Sequence, residues 1–494
     1  MTINSSAAKQ VPVTCVPEEA ETALDRLRKF LETHRMKGKT GPRSFAEFER
    51  ELHARVMEFE REVIADEMRT ADLDVAAIEI DGKVHRRVLR QWQTYMTAAG
   101  EVRVERTLYK DRKDQEGRCV SPMELSLGII GNFWTPRAAQ QALWVATQMT
   151  PAKAEDLFER MGNMEPSKSS IDRLPKLVSE RWESRREEFE RALREGLELP
   201  EATVSITISL DGVLAPIDGG QRPTEVRAEA AAEGRVSKGP AGYREASCAT
   251  VAFCDAKGDL LGAIRMARAP ESKKATLKKM LCAEVSAILA KHAELKVIKV
   301  ADGANDNWKY LGSDVLPKGE EAVDFFHASE HLHDAIAAAY GEGTHETQFR
   351  YATLNETLRD EQGGVEKVIR ALKHLTHKYP QRKVIARELA YFRKHKARMR
   401  YAELKSAGFM IGSGIVEAAC KTLVTQRLKQ SGMRWSVPGA QAILTPRGWD
   451  QSERFDQAWA LVAATFHTEV TVLANVIAIK PTQLPRAKRR AMSR

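Results

Sequence analysis

Two acidic residues stand where strand-like runs of the sequence end. Apolar and polar residues alternate from Val204 to Leu210, a period typical of a strand with one face in a core, and Asp211 follows. Gly212 is then expected to turn the backbone sharply away. A second run, Leu295–Ala301, leads into Asp302 and another glycine. A carboxylate in this position is held rigidly where a metal ion can reach it, although an ordinary Asp-Gly turn is the alternative at each place.

A third carboxylate, Glu417, falls in the first turn or so of a predicted helix from about Ile415 to Lys429, with Ser413 as its N-cap. Three converging carboxylates can hold two Mg²⁺ ions, with Mn²⁺ as a substitute, because these ions prefer oxygen ligands. Asp211 would then bridge both ions, while Asp302 and Glu417 would each complete one site. Such a pair of ions serves an in-line displacement at phosphorus.

Basic and aromatic residues close to Glu417 are expected to hold a DNA backbone. Lys421, one helical turn on, would face a phosphate in the vicinity of the active site. The side chains assigned to DNA contact in this segment are Arg427, Lys429, Arg434 and Trp435.

A competing motif stands at His327-Ala-Ser-Glu-His331, which has the form H-x-x-E-H. On a helix this spacing places two imidazoles one turn apart with a glutamate between them, as in inverzincin zinc proteases. A zinc metalloprotease is therefore one alternative function, and a structural cluster of histidines is another interpretation of the motif.

The elements around the carboxylates occur in the order strand, hairpin of two strands, helix, strand, helix, strand. This order is typical of a ribonuclease-H-like α/β sheet, in which the first and fourth strands lie side by side and would bring Asp211 next to Asp302. From Ala335 to about Ser406 the pattern is almost wholly helical. It predicts a large α-helical insertion before the Glu417 helix.

The region before the core is predicted to be mostly helical and to bind DNA. Glu18–Arg35 and Phe45–Ala71 have amphipathic helical spacing, and short β-like runs between Ala76 and Tyr109 suggest a small sheet.

A helix-turn-helix spacing follows, with Pro151–Met161 as the first helix and Ser167–Val178 as the second. Lys168 and Arg173 would lie on the exposed face of the second helix and contact DNA in a major groove. Pro175 counts against this, because proline inside a helix kinks or ends it.

Composition favours a polyanionic partner. The chain of 494 residues has 77 Lys and Arg against 68 Asp and Glu, a formal charge of +9 and a pI near 9.1. The segment from Lys480 to Arg494 is basic and suited to nucleic acid. No run approaches the ~18 apolar residues of a membrane span, so a cytoplasmic, nucleoid-associated protein is expected.

The predicted fold class is α/β: a ribonuclease-H-like catalytic core with a large α-helical insertion, preceded by a mostly helical DNA-binding region. The predicted segments are a helical region (1–75), a small β-rich region (76–120), helix-turn-helix-like and connector helices (121–200), the first part of the core (201–334), the insertion (335–406), the final core helix with the catalytic glutamate (407–465), and a helix end with a basic tail (466–494).

With these carboxylates in place, the chain resembles the DDE-type insertion-sequence transposases of bacteria, especially the Kra-type group related to Mutator-like elements. The matching stretches are Ser209-Leu-Asp-Gly-Val213, Val300-Ala-Asp-Gly-Ala304, Val323-Asp-Phe-Phe-His-Ala-Ser-Glu-His-Leu332, and Gly412-Ser-Gly-Ile-Val-Glu-Ala-Ala-Cys-Lys421, continued through Arg427-Leu-Lys and Ser431-Gly-Met-Arg-Trp435. The resemblance implies that Asp324 and His327 form an Asp-x-x-His signature near the active site, with His327 contacting DNA or positioning the scissile phosphate.

The sequence therefore predicts a DNA transposase that binds the ends of its element, cleaves phosphodiester bonds and transfers the freed 3′-hydroxyl to target DNA. Both steps are the same phosphoryl transfer with a different nucleophile. Because two element ends are paired, a homodimer or larger assembly is expected. A nuclease of the same fold without strand transfer and a non-catalytic DNA-binding protein remain as alternatives beside the zinc protease.

Overall fold

A computed structural model of the chain describes residues 22–37, 44–111, 113–114, 117–218, 232, 242–430 and 432–473. Two of the predictions lie partly or wholly outside these residues: the start of the helix predicted over Glu18–Arg35 and the basic segment from Lys480 to Arg494. Among the described residues, every helix is too short or too polar to traverse a bilayer.

The elements follow one another along the chain with these bounds. The strands are β1 (Ala77–Ile80), β2 (Lys83–Thr97), β3 (Gly100–Asp111), β4 (Ser205–Pro216), β5 (Tyr243–Cys254), β6 (Leu260–Arg268), β7 (Lys296–Ala301), β8 (Glu320–Val323) and β9 (Thr471–Val472). The α-helices are Ala23–Lys37, Phe45–Ala71, Pro122–Ser126, Pro136–Gln148, Pro151–Met161, Lys168–Ser184, Arg186–Glu195, Ala275–Lys291, Asn305–Leu311, Phe325–Tyr340, His345–Asp360, Gly364–Lys378, Lys383–His395, Tyr401–Ser406, Gly414–Ala419, Gln426–Leu428, Val437–Gln451 and Phe455–Ala464.

The chain forms two compact units, one from residues 1–138, 157–166 and 467–494, the other from residues 139–156 and 167–466. In the first unit the strand order of the sheet is β3-β2-β1-β9. The helix Phe45–Ala71 has the predicted bounds and packs Ala65 and Met68 against Tyr95 of β2 and Val104 of β3. β2 begins at Lys83, where it pairs with β1, and β3 pairs with it from His85 to Thr97.

In the second unit the sheet has the order β6-β5-β4-β7-β8 and is mixed. β4, β5 and β6 pair antiparallel, whereas β7 lies parallel to β4 and β8 parallel to β7. The predicted adjacency of the first and fourth strands of this unit is confirmed, since β4 pairs with β7 from Ser205↔Lys296 to Ser209↔Val300. The fold is therefore mixed α/β, with parallel strands on the side of the sheet that carries the aspartates.

The apolar face of β4 lies in the core as expected, but the alternate residues Ser205, Thr207 and Ser209 are buried as well, so both faces of this part of the strand are covered. Ile206, Ile208 and Leu210 of β4 are at most 1% exposed and belong to one cluster with Leu277 and Leu281 of the helix Ala275–Lys291. Burial of each such side chain contributes roughly 1.5–3 kcal/mol to folding. This rigid packing holds β4, and with it the backbone that carries Asp211.

The predicted helical segment after Ala335 consists of packed helices. Leu358, Val368, Leu372 and Phe392 from these helices are buried in the same cluster as the central strands of the sheet. The segment therefore shares its hydrophobic core with the sheet and provides a fixed support for the residues around it.

The helix that carries Lys168 and Arg173 does not end where it was predicted to end. It runs from Lys168 to Ser184 through Pro175 and breaks at Arg185, whereas a break after Val178 was expected. Its buried stripe continues on both sides of the proline, from Ile171 to Trp182, and packs against the helix Val437–Gln451. This packing outweighs the single backbone hydrogen bond that proline removes.

Candidate active site

Asp302 and Asp324 directly follow the parallel strands β7 and β8 of the second unit, and Asp211 lies within β4 just beyond its parallel pairing with β7. The parallel register of β4 and β7 ends at Ser209↔Val300, two residues before Asp211 and Asp302. The backbone N–H of Asp324, directly after β8, donates to the carbonyl of Ala301 at 2.9 Å. Because the carboxyl ends of parallel strands meet at one edge of a sheet, these aspartates form an acidic edge.

The backbone around Asp211 differs from the prediction. β4 continues to Pro216 without a turn, and Gly212 pairs with Ser247 of β5. A Cβ on Gly212 would lie 1.9 Å from the Glu245 carboxylate, so close approach of this side chain, and not a turn, explains the glycine. Asp211 lies opposite Cys248 and is thereby fixed within a paired strand.

Asp211 is partly buried beside a second carboxylate. Burial raises the pKa of its carboxyl group, and the charge of Asp302 raises it further. The Gly212 N–H and the thiol of Cys420 act in the opposite direction, with Cys420 Sγ 3.7 Å from Asp211 Oδ2. A divalent cation would stabilise the charged form of Asp211 beside this second carboxylate.

Asp302 is oriented by a buried asparagine that the sequence reading missed. Asn307 Nδ2 donates to Asp302 Oδ1 at 3.1 Å and to the carbonyl of Leu210 at 3.3 Å, so it links the ends of β4 and β7. Asn307 is 5% exposed. The indole N–H of Trp308 donates to the carbonyl of Asp302 at 2.6 Å. The sequence feature that could have indicated this role is a polar residue on the inner side of a short helix that begins three residues after Asp302.

Glu417 reaches this edge from a helix that is less regular than predicted. The helix begins at Gly414, becomes π-helical over Cys420–Thr425 and returns to α-helical geometry from Gln426 to Leu428. Its buried face packs on the sheet face of Ala215, Ala246 and Cys248. Since Cys420, three residues after Glu417, contacts Asp211, the first turn of the helix lies beside the acidic edge. Single π-helical turns are frequent at functional sites.

Ser413 does not cap this helix with its side chain, which corrects the prediction. Its hydroxyl lies 2.7 Å from Asp324 Oδ2 and 2.9 Å from Glu417 Oε1. A hydroxyl has one proton to donate, so both bonds form together only when one of the two carboxyl groups is protonated. Burial and the neighbouring Asp324 raise the pKa of Glu417.

Asp324 is a fully buried carboxylate with several hydrogen-bond donors. Burial by itself would raise its pKa, but hydrogen bonds from His327 and its other neighbours lower the pKa to about 2. Its oxygens accept the backbone N–H groups of Phe326 and Ser413 at 3.0 and 3.2 Å, in addition to the Ser413 hydroxyl. The predicted strand over 322–326 ends at Val323, because Asp324 caps the helix that begins at Phe325.

His327 is a cation at neutral pH. The hydrogen bond to Asp324, at 3.2 Å from Nδ1, raises the pKa of the imidazole to about 9 against the opposing effect of burial. The same nitrogen lies 3.9 Å from Glu417 Oε1. The predicted Asp-x-x-His pair thus contacts the predicted catalytic glutamate.

In the described part of the chain, Asp324, His327 and Glu417 form a group whose ligand atoms all lie within 4.8 Å of one another. Asp211 and Asp302 do not belong to this group, so the predicted triad is not gathered within that distance. Both oxygens of Asp324 already accept hydrogen bonds. Asp324 and His327 are therefore better suited to orient Glu417 than to coordinate an ion themselves.

The H-x-x-E-H motif does not form a zinc site among the described residues. His331 Nδ1 is 2.6 Å from Glu388 Oε2, and its ring stacks on Tyr391 with centroids 3.7 Å apart. His327 is held by Asp324, a different carboxylate. The two imidazoles are thus fixed by separate partners, and the zinc-protease alternative is not carried further.

Most of the residues assigned to DNA contact lie on the surface. The exposed ones are Lys168, Arg173, Lys421, Lys429 and Arg434. Arg434 is 77% exposed and lies 3.8 Å from Asp218. Trp435 is half-buried, and its indole N–H donates to the carbonyl of Leu428 at 3.1 Å.

Arg427 is the exception and requires a correction. It is 1% exposed, and its Nε and Nη2 atoms donate to the carbonyl of Ala146 at 3.3 and 3.2 Å. Burial lowers the pKa of its guanidinium to about 10, and the charge of Arg447 contributes to the shift. A basic residue about three turns after Glu417 was expected at the surface, but Arg427 is directed into the protein, after the π-helical segment Cys420–Thr425.

The fold and the site together define a mixed α/β protein with an acidic edge on parallel strands and a glutamate presented by a helix. Neither a protein-family model nor a curated protein matches the chain. Among solved structures, the Drosophila P element transposase strand transfer complex is similar at 12% sequence identity, over 67% of this chain and 80% of that chain, with a TM-score of 0.25. A likeness of this size supports no conclusion about fold or function.

Proposed function

We propose that this protein is a DDE-type transposase with a ribonuclease-H-like core, in which Asp211, Asp302 and Glu417 are the catalytic carboxylates. The observation that carries the proposal is the parallel pairing of β4 with β7, which brings together two aspartates 91 positions apart in the sequence. The Cys420–Asp211 contact adds the glutamate helix to the same edge.

Two further features support the proposal. The sheet order, third-second-first-fourth-fifth in this unit, is the order expected for a ribonuclease-H-like core. The motifs around the three carboxylates resemble the Kra-type bacterial insertion-sequence transposases, and packed helices separate β8 from the glutamate helix as the resemblance implies.

The donor set fits a pair of hard divalent cations such as Mg²⁺ or Mn²⁺, since it consists of carboxylate oxygens and the charge of Asp302 raises the pKa of Asp211. Asp211 would contact both ions, with Asp302 and Glu417 as the outer ligands. Because paired ions lie about 3.5–4 Å apart, outer ligands of different ions need not lie within reach of one ion. When bound, the ions supply an activated nucleophile and stabilise the leaving oxygen.

The remaining residues orient this set. Asn307 holds Asp302 against β4, and Ser413, Asp324 and His327 hold Glu417. The His327 imidazolium is 40% exposed, so it is also accessible to a phosphate oxygen of the substrate.

The proposed substrates are the ends of a mobile element and a target DNA, joined by transfer of a 3′-hydroxyl. The exposed basic residues Lys168, Arg173, Lys421, Lys429 and Arg434 would contact DNA phosphates. Pairing of two ends requires at least two copies of the protein in the active assembly.

The test is Mg²⁺-dependent cleavage of duplexes that carry the DNA flanking the coding sequence. Wild type is expected to nick these duplexes, and Asp302→Asn is expected to bind them without nicking, a loss of at least about 10³-fold. Asp314→Asn, at an exposed aspartate nearby, is the matched control and should cleave like wild type. Full activity of Asp302→Asn would refute the assigned site.

A nuclease with the same site is the second candidate, because the acidic edge serves hydrolysis and strand transfer equally. A pre-cleaved end with a free 3′-hydroxyl and a supercoiled target plasmid distinguish the two. A transposase joins the end to the plasmid, whereas a nuclease only nicks the plasmid.

A further inference from the structure

A large cleft opens beside the acidic edge, on the side of the sheet occupied by β5. It has a volume of about 820 Å³ and lies between β5, the turn Ser272–Lys274 and the helix Asn305–Leu311. Asn307 forms part of its wall and donates to Asp302 Oδ1 at 3.1 Å. Asn307 therefore connects the wall of the cleft to a proposed catalytic carboxylate.

The cleft has an excess of positive charge. The basic residues in its wall are Arg244, Lys273, Lys274, Lys278 and Lys309, and the acidic residues are Glu245, Glu271 and Asp306. Each acidic group is already engaged: Glu245 with Lys274 at 2.8 Å, Asp306 with Lys309 at 3.4 Å, and Glu271 with the backbone N–H of Leu277 at 2.9 Å.

Three basic side chains in the wall are available to bind an anionic ligand. Among the described residues, Arg244, Lys273 and Lys278 have no acidic partner within 4.0 Å. Lys278 lies over the ring of Tyr310, 5.2 Å from its centroid. The three come from a strand, a turn and a helix, so they surround the cleft and do not converge on one point.

The turn that carries two of the lysines adopts a conformation that side chains disfavour. Lys273 and Lys274 have φ values of 53° and 55°, in the left-handed region where glycine or asparagine is more common. Strained backbone of this kind tends to persist at functional sites. Here it directs Lys274 to Glu245 and Asn307 while Lys273 stays exposed at the cleft.

We propose that this cleft binds the phosphodiester backbone of the DNA strand that runs past the scissile phosphate, an inference that rests on the proposed function. Cations distributed around a channel match successive phosphates of a chain. A site for a single phosphate or pyrophosphate normally uses a glycine-rich turn with converging N–H groups, and the segment Ala269-Pro-Glu-Ser-Lys-Lys-Ala275 has no glycine.

The test compares two triple variants of equal charge in the full chain. The cleft variant is Arg244→Gln/Lys273→Gln/Lys278→Gln. The control variant, Arg370→Gln/Lys373→Gln/Lys383→Gln, removes one arginine and two lysines from the exposed surface of the helices after Gly364. Binding of a fluorescein-labelled duplex of mixed sequence is measured by anisotropy in EDTA at several salt concentrations, so the readout does not depend on catalysis.

The cleft variant is expected to bind about tenfold or more weakly, and the slope of log K against log salt should fall in magnitude by about two to three, since each lost phosphate contact contributes about 0.9. The control variant should keep the slope of wild type. Equal effects of both variants would overturn the proposal, because they would reflect net charge alone. The proposal would also be overturned if wild type binds pyrophosphate and the cleft variant does not, while the salt dependence of DNA binding is the same for both.

The outcomes separate this inference from the proposed function. If wild type cleaves DNA with Mg²⁺ and the cleft variant keeps the salt slope of wild type, the cleft assignment fails and the function stands. If wild type shows no cleavage but the cleft variant loses slope, the cleft binds DNA and the transposase proposal fails.

Discussion

Ser413→Ala tests whether the hydroxyl between two carboxylates positions the catalytic glutamate. The substitution removes contacts of 2.7 Å to Asp324 and 2.9 Å to Glu417. It keeps both backbone bonds of this residue, from its N–H to Asp324 at 3.2 Å and from the Glu417 N–H to its carbonyl at 3.1 Å. The change is therefore confined to the orientation of the two carboxyl groups.

The expected size follows from what each carboxyl group retains. Asp324 still accepts the N–H groups of Phe326 and Ser413 and the bond from His327, so its ionisation changes little. Glu417 keeps the His327 contact at 3.9 Å and its proximity to Asp324, but it loses its only hydroxyl donor among the described residues. A hydrogen bond to a charged group contributes about 1.5–3 kcal/mol. Because about 1.4 kcal/mol corresponds to tenfold in rate, Mg²⁺-dependent cleavage should fall by about 10- to 150-fold.

The assay is single-turnover nicking at saturating protein, with DNA affinity and the thermal midpoint measured on the same preparations. Ser452→Ala is the matched control, because the Ser452 hydroxyl also makes two bonds, to the backbone of Arg265 at 2.9 and 3.2 Å, away from the carboxylates. Both variants should lose some stability, and only Ser413→Ala should lose nicking rate at unchanged affinity. Equal nicking rates for the two variants would show that the hydroxyl does not position Glu417.

Two further predictions concern buried charges. Burial raises the pKa of Glu190 to about 7, so the folded state retains a proton that the unfolded state releases. The free energy of unfolding should therefore fall by about 3 kcal/mol between pH ~4.5 and pH ~7. Denaturant unfolding at about pH 5 and about pH 8 should show a smaller difference for Glu190→Gln than for wild type, and an equal difference would contradict the assignment. Arg427→Lys should lower the free energy of unfolding by about 2–3 kcal/mol, because lysine cannot reproduce both bonds to the Ala146 carbonyl. The DNA affinity of this variant should equal that of wild type. Weaker DNA binding at unchanged stability would instead support the predicted role of Arg427 in DNA contact.

Much of the framework follows from local periodicity. The helix Phe45–Ala71 has the predicted bounds because its apolar residues recur every three or four positions with no helix breaker between them. The apolar residues before Asp211 likewise lie in the core, although the residues that alternate with them are buried as well. Local patterns failed where a neighbour supplied the missing stabilisation: Pro175 lies inside a helix that tertiary packing supports, and Gly212 lies inside a strand that β5 extends.

The sequence by itself determined that strand-forming runs lead to Asp211 and Asp302 and that a helix carries Glu417, because side-chain periodicity is a property of a few consecutive residues. Tertiary structure alone decided which groups orient these carboxylates. Asn307 spans the ends of two strands, and Ser413 joins Asp324 to the glutamate helix although 89 residues separate Ser413 from Asp324. Such hydrogen bonds depend on where distant segments meet, and that is set by packing of the whole unit.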